Sequence, residues 1–352
     1  MGHRVGLVGL KQARRFIEIF NAMPDTRVTA LCDVNENLLD DVGDEAGIDK
    51  SCRFADLERM LDTDIDIVEL STPIQIHGKQ SIEAMKKGKH VLCQYIAAST
   101  QEEAEELKSV AVASGKKYMF IETNCYERKN MILRKLCMNG ILGELTMGRG
   151  HYIHDTKKLL RSADGSLTWR GELRLHGRGG ALNAVHTAAL LIELFGERVT
   201  ELYSYGPGSH SIKSIDPRFN WHDRVTTVGY LSSGRTLELV TDVASYRPVN
   251  CGYIVQGTKG CFDFDRAAVL EDDAISDWKD LQRLESDFSL TNLIKDHSGH
   301  DSAFNEVVKR FIGAVDNDTA PSEDLSLALH ITAIGWAAEE SLASGKRASV
   351  AM

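Results

Sequence analysis

Long apolar runs, basic stretches and paired cysteines are what this chain of 352 residues lacks. Its most apolar stretch, Ala181 to Leu194, is interrupted by Asn183, His186, Thr187 and Glu193. It stays short of the roughly 20 uninterrupted residues a bilayer-spanning helix needs, so no membrane span is expected. Residues 1–20 pass from a strand-like Val5-Gly6-Leu7-Val8-Gly9 straight into charged residues. An apolar signal core and a small-residue cleavage site are absent there, and a cytoplasmic protein is the expectation. Acidic residues outnumber Lys and Arg by 51 to 41, for a net charge of −10, and no dense basic stretch offsets them. Such a surface repels nucleic-acid phosphates and anionic membranes, so neither partner is expected. The seven cysteines are odd in number and show no CxxC spacing, which suits reduced thiols better than a disulfide frame or a zinc site. No metal site is expected. Internal repeats and low-complexity segments are absent as well.

What is present is an ordinary globular composition, 43% hydrophobic and 26% charged, with a length that suggests about two domains. Over the first 122 residues short β-branched runs (Arg4 to Val8, Arg27 to Cys32, Ile65 to Leu70, His90 to Cys93, Tyr118 to Glu122) alternate with amphipathic stretches such as Ile74 to Lys87 and Thr100 to Ser114. That alternation predicts βαβ units on a parallel sheet, a Rossmann-type α/β domain over 1–123. Thr100 with Glu103 three residues on is a capping-box start. A connecting helix is expected from Glu127 to Asn139, ended by Gly140. The pattern then turns to alternating strands: Glu144 to His154, Val199 to Tyr205, Arg224 to Leu231, Thr236 to Ser245, Cys251 to Gly257 and Gly260 to Phe264. Turn residues at 232–234 and 257–260 join neighbours as hairpins. One helix, Leu182 to Phe195, interrupts them, and two more, about Ser302 to Val315 and Asp324 to Ser344, close the chain. Residues 124–352 are thus expected to form an α+β domain around an open, mainly antiparallel sheet, for substrate binding and oligomerisation. An open sheet has bare edges or faces that subunit pairing covers, so a homo-oligomer, dimer or tetramer, is expected.

The first strand and turn run Gly6-Leu7-Val8-Gly9-Leu10-Lys11-Gln12-Ala13-Arg14. A dinucleotide fingerprint would place glycine at 9, at 11 and near 14, the first for the tight turn and the second for close approach of the backbone to pyrophosphate. Only Gly9 meets it. Lys11 either sets its ammonium on a phosphate or crowds the approach. Asp33, at the end of the second strand, is placed to accept both ribose hydroxyls and to disfavour a 2′-phosphate, which selects NAD over NADP. Ser71-Thr72-Pro73, with His77 one turn into the next helix, breaks the chain at a strand's carboxyl end. Doubly wound sheets bind ligands at such ends, although a proline helix start accounts for Pro73 by itself.

These segments, with Gly88-Lys89-His90-Val91-Leu92, resemble the Gfo/Idh/MocA oxidoreductase family over nearly the whole chain. The family usually continues with Glu-Lys-Pro, whose lysine shuttles the proton of the oxidised hydroxyl, where this chain reads Gln94-Tyr95-Ile96-Ala97-Ala98. The NAD-dependent glycosidase branch, glycoside hydrolase family 109, lacks that lysine too and carries Glu-Val-Pro-Ala-Ala. Glu122-Thr123-Asn124-Cys125-Tyr126, Tyr152-Ile153-His154-Asp155, Trp169-Arg170, Gln256 to Gly260 and His297 to Asp301 are similar to that branch. There a helix opens with Tyr-Pro-Thr-His, and Asn183-Ala184-Val185-His186 stands at that place here. The histidine is kept and the tyrosine is not.

The resemblance implies a nicotinamide enzyme, and residue chemistry suggests roles. An alcohol oxidised by hydride transfer must lose a proton, and imidazole suits that task near neutral pH. His186 is the candidate; a satisfied core histidine is the alternative. Tyr95 takes the usual lysine's place, as proton relay or as aromatic shelf, since a phenol is a poor base. His154 with Asp155 holds sugar hydroxyls or forms a carboxylate-oriented imidazole, against a solvated strand end. His297 completes the candidate catalytic set, and His300 and Asp301 beside it do not suffice for a metal. Tyr126 and Arg170 are weaker candidates for the site wall, with Asn183, while Leu10, Lys11 and Gln94 join the cofactor set. The leading expectation is an NAD(H)-dependent oxidoreductase acting on a secondary hydroxyl of a sugar, cyclitol or glycoside. Two alternatives stand beside it: a glycosidase or lyase that uses NAD catalytically, by oxidation and elimination, and a catalytically dead sensor or scaffold.

Overall fold

A computed structural model describes residues 2–176, 178, 181–266 and 300–351 of the chain, and the candidate His297 lies outside them. The described residues fall into two compact units, Met1–Thr123 with Asp301–Leu329 and Asn124–His300 with His330–Met352.

The first unit is built on six strands: β1 (His3–Val8), β2 (Thr26–Cys32), β3 (Arg53–Phe54), β4 (Ile67–Leu70), β5 (His90–Gln94) and β6 (Tyr118–Ile121). They pair in the order 3-2-1-4-5-6, all parallel. Parallel strands covered on both faces read as continuous apolar runs, and all four residues of β4 are buried. Between strands lie α1 (Leu10–Ala13), α2 (Phe16–Asn21), α3 (Glu36–Ala46), α4 (Leu57–Leu61), α5 (His77–Lys86) and α6 (Gln101–Ser114). The capping box forms with a small change: Thr100 Oγ1 accepts the Glu103 N–H at 3.2 Å, while the Glu103 carboxylate reaches back to the Ser99 N–H at 2.9 Å. The expected helix from Ile74 divides into a 3-10 turn, Ile74–Ile76, and α5.

In the second unit α7 (Arg128–Met138) leads to β7 (Leu145–Ile153), α8 (Trp169–Leu175) and α9 (Val185–Phe195). Then come β8 (Val199–Tyr205), β9 (Arg224–Leu231), β10 (Thr236–Asp242), β11 (Asn250–Gly257) and β12 (Cys261–Asp263). Two closing helices, α10 (His300–Asp316) and α11 (Leu325–Ser344), and the short β13 (Ala348–Ser349) end the chain. The second sheet has the order 12-11-7-10-9-8-13, antiparallel throughout except for the parallel pair of β7 and β10. Helix α8 and strand β3 were not legible in the sequence, being too short to show a period.

A single boundary at 123/124 does not describe the chain, because Asp301–Leu329 belongs with the first unit. Phe304, Val307, Val308 and Phe311 of α10 are buried, and the Phe304 ring meets Phe16 edge-on at 5.4 Å. The Phe120 N–H donates to the Glu323 carbonyl at 3.0 Å, so residues next to α11 occupy the edge of β6 that would otherwise be bare. Among the described residues no helix is long and apolar enough to cross a membrane.

Candidate active site

The first unit gathers the cofactor candidates at the carboxyl ends of its strands, where β1 and β4 mark the reversal of strand order. Gly9 follows β1 in the left-handed region, at φ 85°. A Cβ there would lie 2.8 Å from the Ser71 carbonyl carbon and oxygen and 2.9 Å from Thr72 N. Only glycine lets the turn press this closely on the end of β4. The half-buried Asp33 ends β2, its Oδ2 accepting the Leu10 N–H at 2.7 Å and its Oδ1 the Asn35 N–H at 2.8 Å. An ionised carboxylate has about four acceptor sites, so lone pairs remain for two ribose hydroxyls. Lys11 and Gln12 are exposed, and the first helix breaks after Ala13 and resumes at Phe16. The glycine cradle and the strand-end acid fit a dinucleotide.

Thr72 is held by its own hydrogen bond to Gln80 Oε1, 2.5 Å long. His77 is not on a ligand-facing surface: it is completely buried, with Nε2 2.8 Å from the Thr72 carbonyl oxygen and Nδ1 3.2 Å from that of Ile96. Burial pushes its pKa down to about 4 despite these acceptors, so the ring is neutral at pH 7. His77 ties the loop after β4 to the loop after β5, a support in place of the expected cofactor contact. Gln94 ends β5 half-buried, and Tyr95, also half-buried, precedes a cis peptide to Ile96.

Glu69 was not singled out in the sequence, although an acid within Ile67-Val68-Glu69-Leu70 is a visible irregularity. It is fully buried; Ser71 Oγ donates to its Oε1 at 2.5 Å, and its Oε2 has no hydrogen-bond partner among the described residues. Burial pushes its pKa up to about 8, so it carries a proton at neutral pH. It props Ser71 and hence the peptide against which Gly9 turns.

The second unit assembles a cluster of rings. Gly150 in β7 has no Cβ to strike the Thr187 carbonyl oxygen, which lets the first turn of α9 lie directly on the sheet. The Tyr253 hydroxyl on β11 donates to the His186 carbonyl at 2.9 Å and fastens that turn. The His186 ring, half-buried, stacks on Tyr152 with centroids 4.4 Å apart and planes 26° apart. The Tyr152 hydroxyl lies 2.8 Å from His154 Nδ1. His186 and His154, 32 positions apart in sequence, are thus joined through Tyr152.

Other expectations are revised by what the side chains touch. Asp155 does not supply the contact shown at His154 Nδ1, which is phenolic; its Oδ1 accepts the Lys157 N–H at 3.0 Å, and its Oδ2 pairs with Lys157 Nζ at 3.3 Å. Tyr126 is wholly buried, the Arg134 guanidinium carbon 5.2 Å from its ring centre, so its ring is core packing and not an exposed wall. Arg170 is half-buried over the Trp169 ring at 4.1 Å. Asn183 is buried in the 3-10 turn Ala181–Ala184 before α9. Tyr95 belongs to the other unit, Met1–Thr123 with Asp301–Leu329.

Comparison with known proteins gives a match to each part of the chain. Residues 3–122 match the family described as oxidoreductase family, NAD-binding Rossmann fold, and residues 196–351 match glycosyl hydrolase 109, C-terminal domain. A glycosyl hydrolase family 109 protein of Solibacter usitatus is 28% identical, over 97% of this chain and 86% of its own length. One of Saccharopolyspora erythraea is 26% identical over 74% of this chain, which spans 62% of that relative's length. Among solved structures, levoglucosan dehydrogenase in complex with NADH and levoglucosan superposes with a TM-score of 0.82 at 19% identity, covering 100% of both chains. Apo scyllo-inositol dehydrogenase from Lactobacillus casei gives 0.77 at 16% identity, covering 100% of this chain and 99% of that one. An oxidoreductase domain protein from Kribbella flavida gives 0.81 at 20%, covering 100% of each. The chain therefore carries an NAD-binding Rossmann domain of the Gfo/Idh/MocA oxidoreductase family and a C-terminal domain of the glycosyl hydrolase 109 family.

Proposed function

We propose that the protein is an NAD-dependent oxidoreductase acting on a secondary hydroxyl of a sugar, cyclitol or glycoside. The observation that carries this reading is the His154–Tyr152–His186 cluster, found on the second unit of a chain whose first unit is an NAD-binding domain. The dehydrogenases of inositol and levoglucosan among its structural neighbours support a polyol or sugar as the substrate class. Bound NAD supplies the hydride acceptor. Gly9 and the Ser71–Thr72 peptide form its close-approach turn, and Asp33 accepts the ribose hydroxyls. His186 takes the hydroxyl proton, a role worth roughly 10²–10⁴ in rate for a well-placed general base. His154 orients the substrate.

The test is NAD reduction across a panel of sugars, cyclitols and glycosides with the purified protein. His186→Ala is expected to lower kcat by about 100-fold or more while the calorimetric affinity for NAD is kept. Activity surviving within threefold would remove His186 from the role. A second reading is favoured by the match of residues 196–351 to the glycosyl hydrolase 109 domain: glycoside cleavage in which the hydride is returned at the end. Aglycone release without growth of nicotinamide absorbance selects it, and stoichiometric NADH excludes it.

A further inference from the structure

We propose that Tyr152 is the positioning residue of this site, setting the plane of the His186 ring and the tautomer of His154 at once; the proposal rests on the reading of His186 as the proton-handling group. Tyr152 has a firmly placed Cα, since β7 is an inner strand and the residue pairs with Thr241 on β10 and with Cys251 on β11. Its ring lies nearly parallel to His186 at 4.4 Å and meets His154 at a steep 70° with centroids 5.7 Å apart. Stacking covers one face of an imidazole and leaves the nitrogens at the ring edge open to in-plane hydrogen bonds. Tyr253 already holds the His186 backbone through its carbonyl, so the remaining freedom of that residue is rotation of its side chain, which a stacked phenol restricts.

The hydroxyl does separate work. A phenol O–H donating to Nδ1 of His154, across the observed 2.8 Å, requires that nitrogen to be the bare acceptor and places the ring proton on Nε2. Neither effect needs Tyr152 to touch a substrate. The residue acts through the two histidines, and errors of about 1 Å in such support are felt in rate. Its two functions are separable by substitution, because Phe keeps the ring without the hydroxyl and Leu removes the ring.

The experiment uses full-length protein with isotope-labelled histidine and reads the imidazole resonances before any kinetics. In Tyr152→Leu the His186 ring protons are expected to move downfield, having lost the ring current above them. In Tyr152→Phe they stay, while the His154 Nδ1 and Nε2 nitrogen shifts change together. NAD affinity by calorimetry is expected to stay within twofold in both variants. With an active substrate, kcat is expected to fall about tenfold or more in Tyr152→Leu and less in Tyr152→Phe. His186 resonances unmoved in a folded Tyr152→Leu protein, or His154 nitrogens unmoved in Tyr152→Phe, overturn the proposal. If Tyr152→Leu does not fold, Tyr152→Phe decides it through the His154 nitrogens. The resonance shifts do not depend on knowing the substrate. Shifts as expected together with a His186→Ala protein of undiminished activity would retain the positioning and discard the proton-transfer reading on which its use rests.

Discussion

At the scale of single residues the first unit depends on a carboxyl that the composition would not have suggested. Glu69 keeps its proton in the folded chain up to about pH 8 and loses it from about pH 4.5 when unfolded. A group whose folded pKa is raised contributes fully below the unfolded value, and that contribution is lost as pH climbs through the folded one. The slope within the window is about 1.4 kcal/mol per pH unit for one proton. Glu69→Gln keeps the shape without the ionisation, so the stability difference between variant and wild type is expected to move in favour of the variant as pH rises from 5 to 8. Urea denaturation at both ends measures it, and a difference that does not change with pH removes the buried acid from the account. The sequence showed this acid but not its state, because a β4 residue's burial depends on what covers both faces of the sheet. The same holds for His77, whose spacing after Pro73 suggested a ligand contact and whose ring is instead enclosed by two loops.

At the scale of elements the ring cluster of the second unit depends on how near α9 comes to β7. Apolar periodicity identified the helix, which Gly196 ends at φ 62°; β7 carries glycines at 148 and 150. The fold gives one of them a purpose, since at Gly150 any Cβ meets the carbonyl of Thr187 in the first turn of α9. Gly150→Ala is expected to push that turn outward, costing about 1–3 kcal/mol in stability and lowering kcat while NAD affinity is kept, the residue lying in the unit that does not hold the dinucleotide turn. Thermal denaturation with calorimetry checks it; an unchanged melting temperature would mean the helix does not lie this close. Elements of about ten residues were legible to within three positions of their ends, the starts of α5 and α9 and the end of β10 being the widest misses. The parallel pairing of β7 with β10 was not, since it joins strands 83 positions apart at their closest ends, and alternation says which face a residue takes without naming the neighbouring strand.

At the scale of the whole molecule the second sheet ends in exposed aromatics. Tyr203 and Tyr205 stack with centroids 6.3 Å apart on β8 and are 37% and 53% exposed, and the Arg347 guanidinium covers Tyr230 at 4.6 Å on the neighbouring strand. Aromatic and Arg side chains grouped on a sheet face are the composition of subunit contacts, and a second copy of this chain is the expected occupant. Light scattering at micromolar concentration is expected to give a multiple of the chain mass, reduced by Tyr205→Glu. A mass of one chain for the wild type removes the pairing.

The amino-acid order alone determined the Rossmann-type half, the glycine turn after β1, the acid at the end of β2 and the family resemblance, because local periods of two and 3.6 residues and a turn of a few residues are written in adjacent positions. Tertiary structure alone decided that Tyr152 stands between His154 and His186, that Asp155 turns to Lys157, that Tyr126 is core, and that Asp301–Leu329 completes the first unit. Each of those depends on which distant segments share a surface, and that is set by the burial of whole elements together, a quantity no short window of sequence contains.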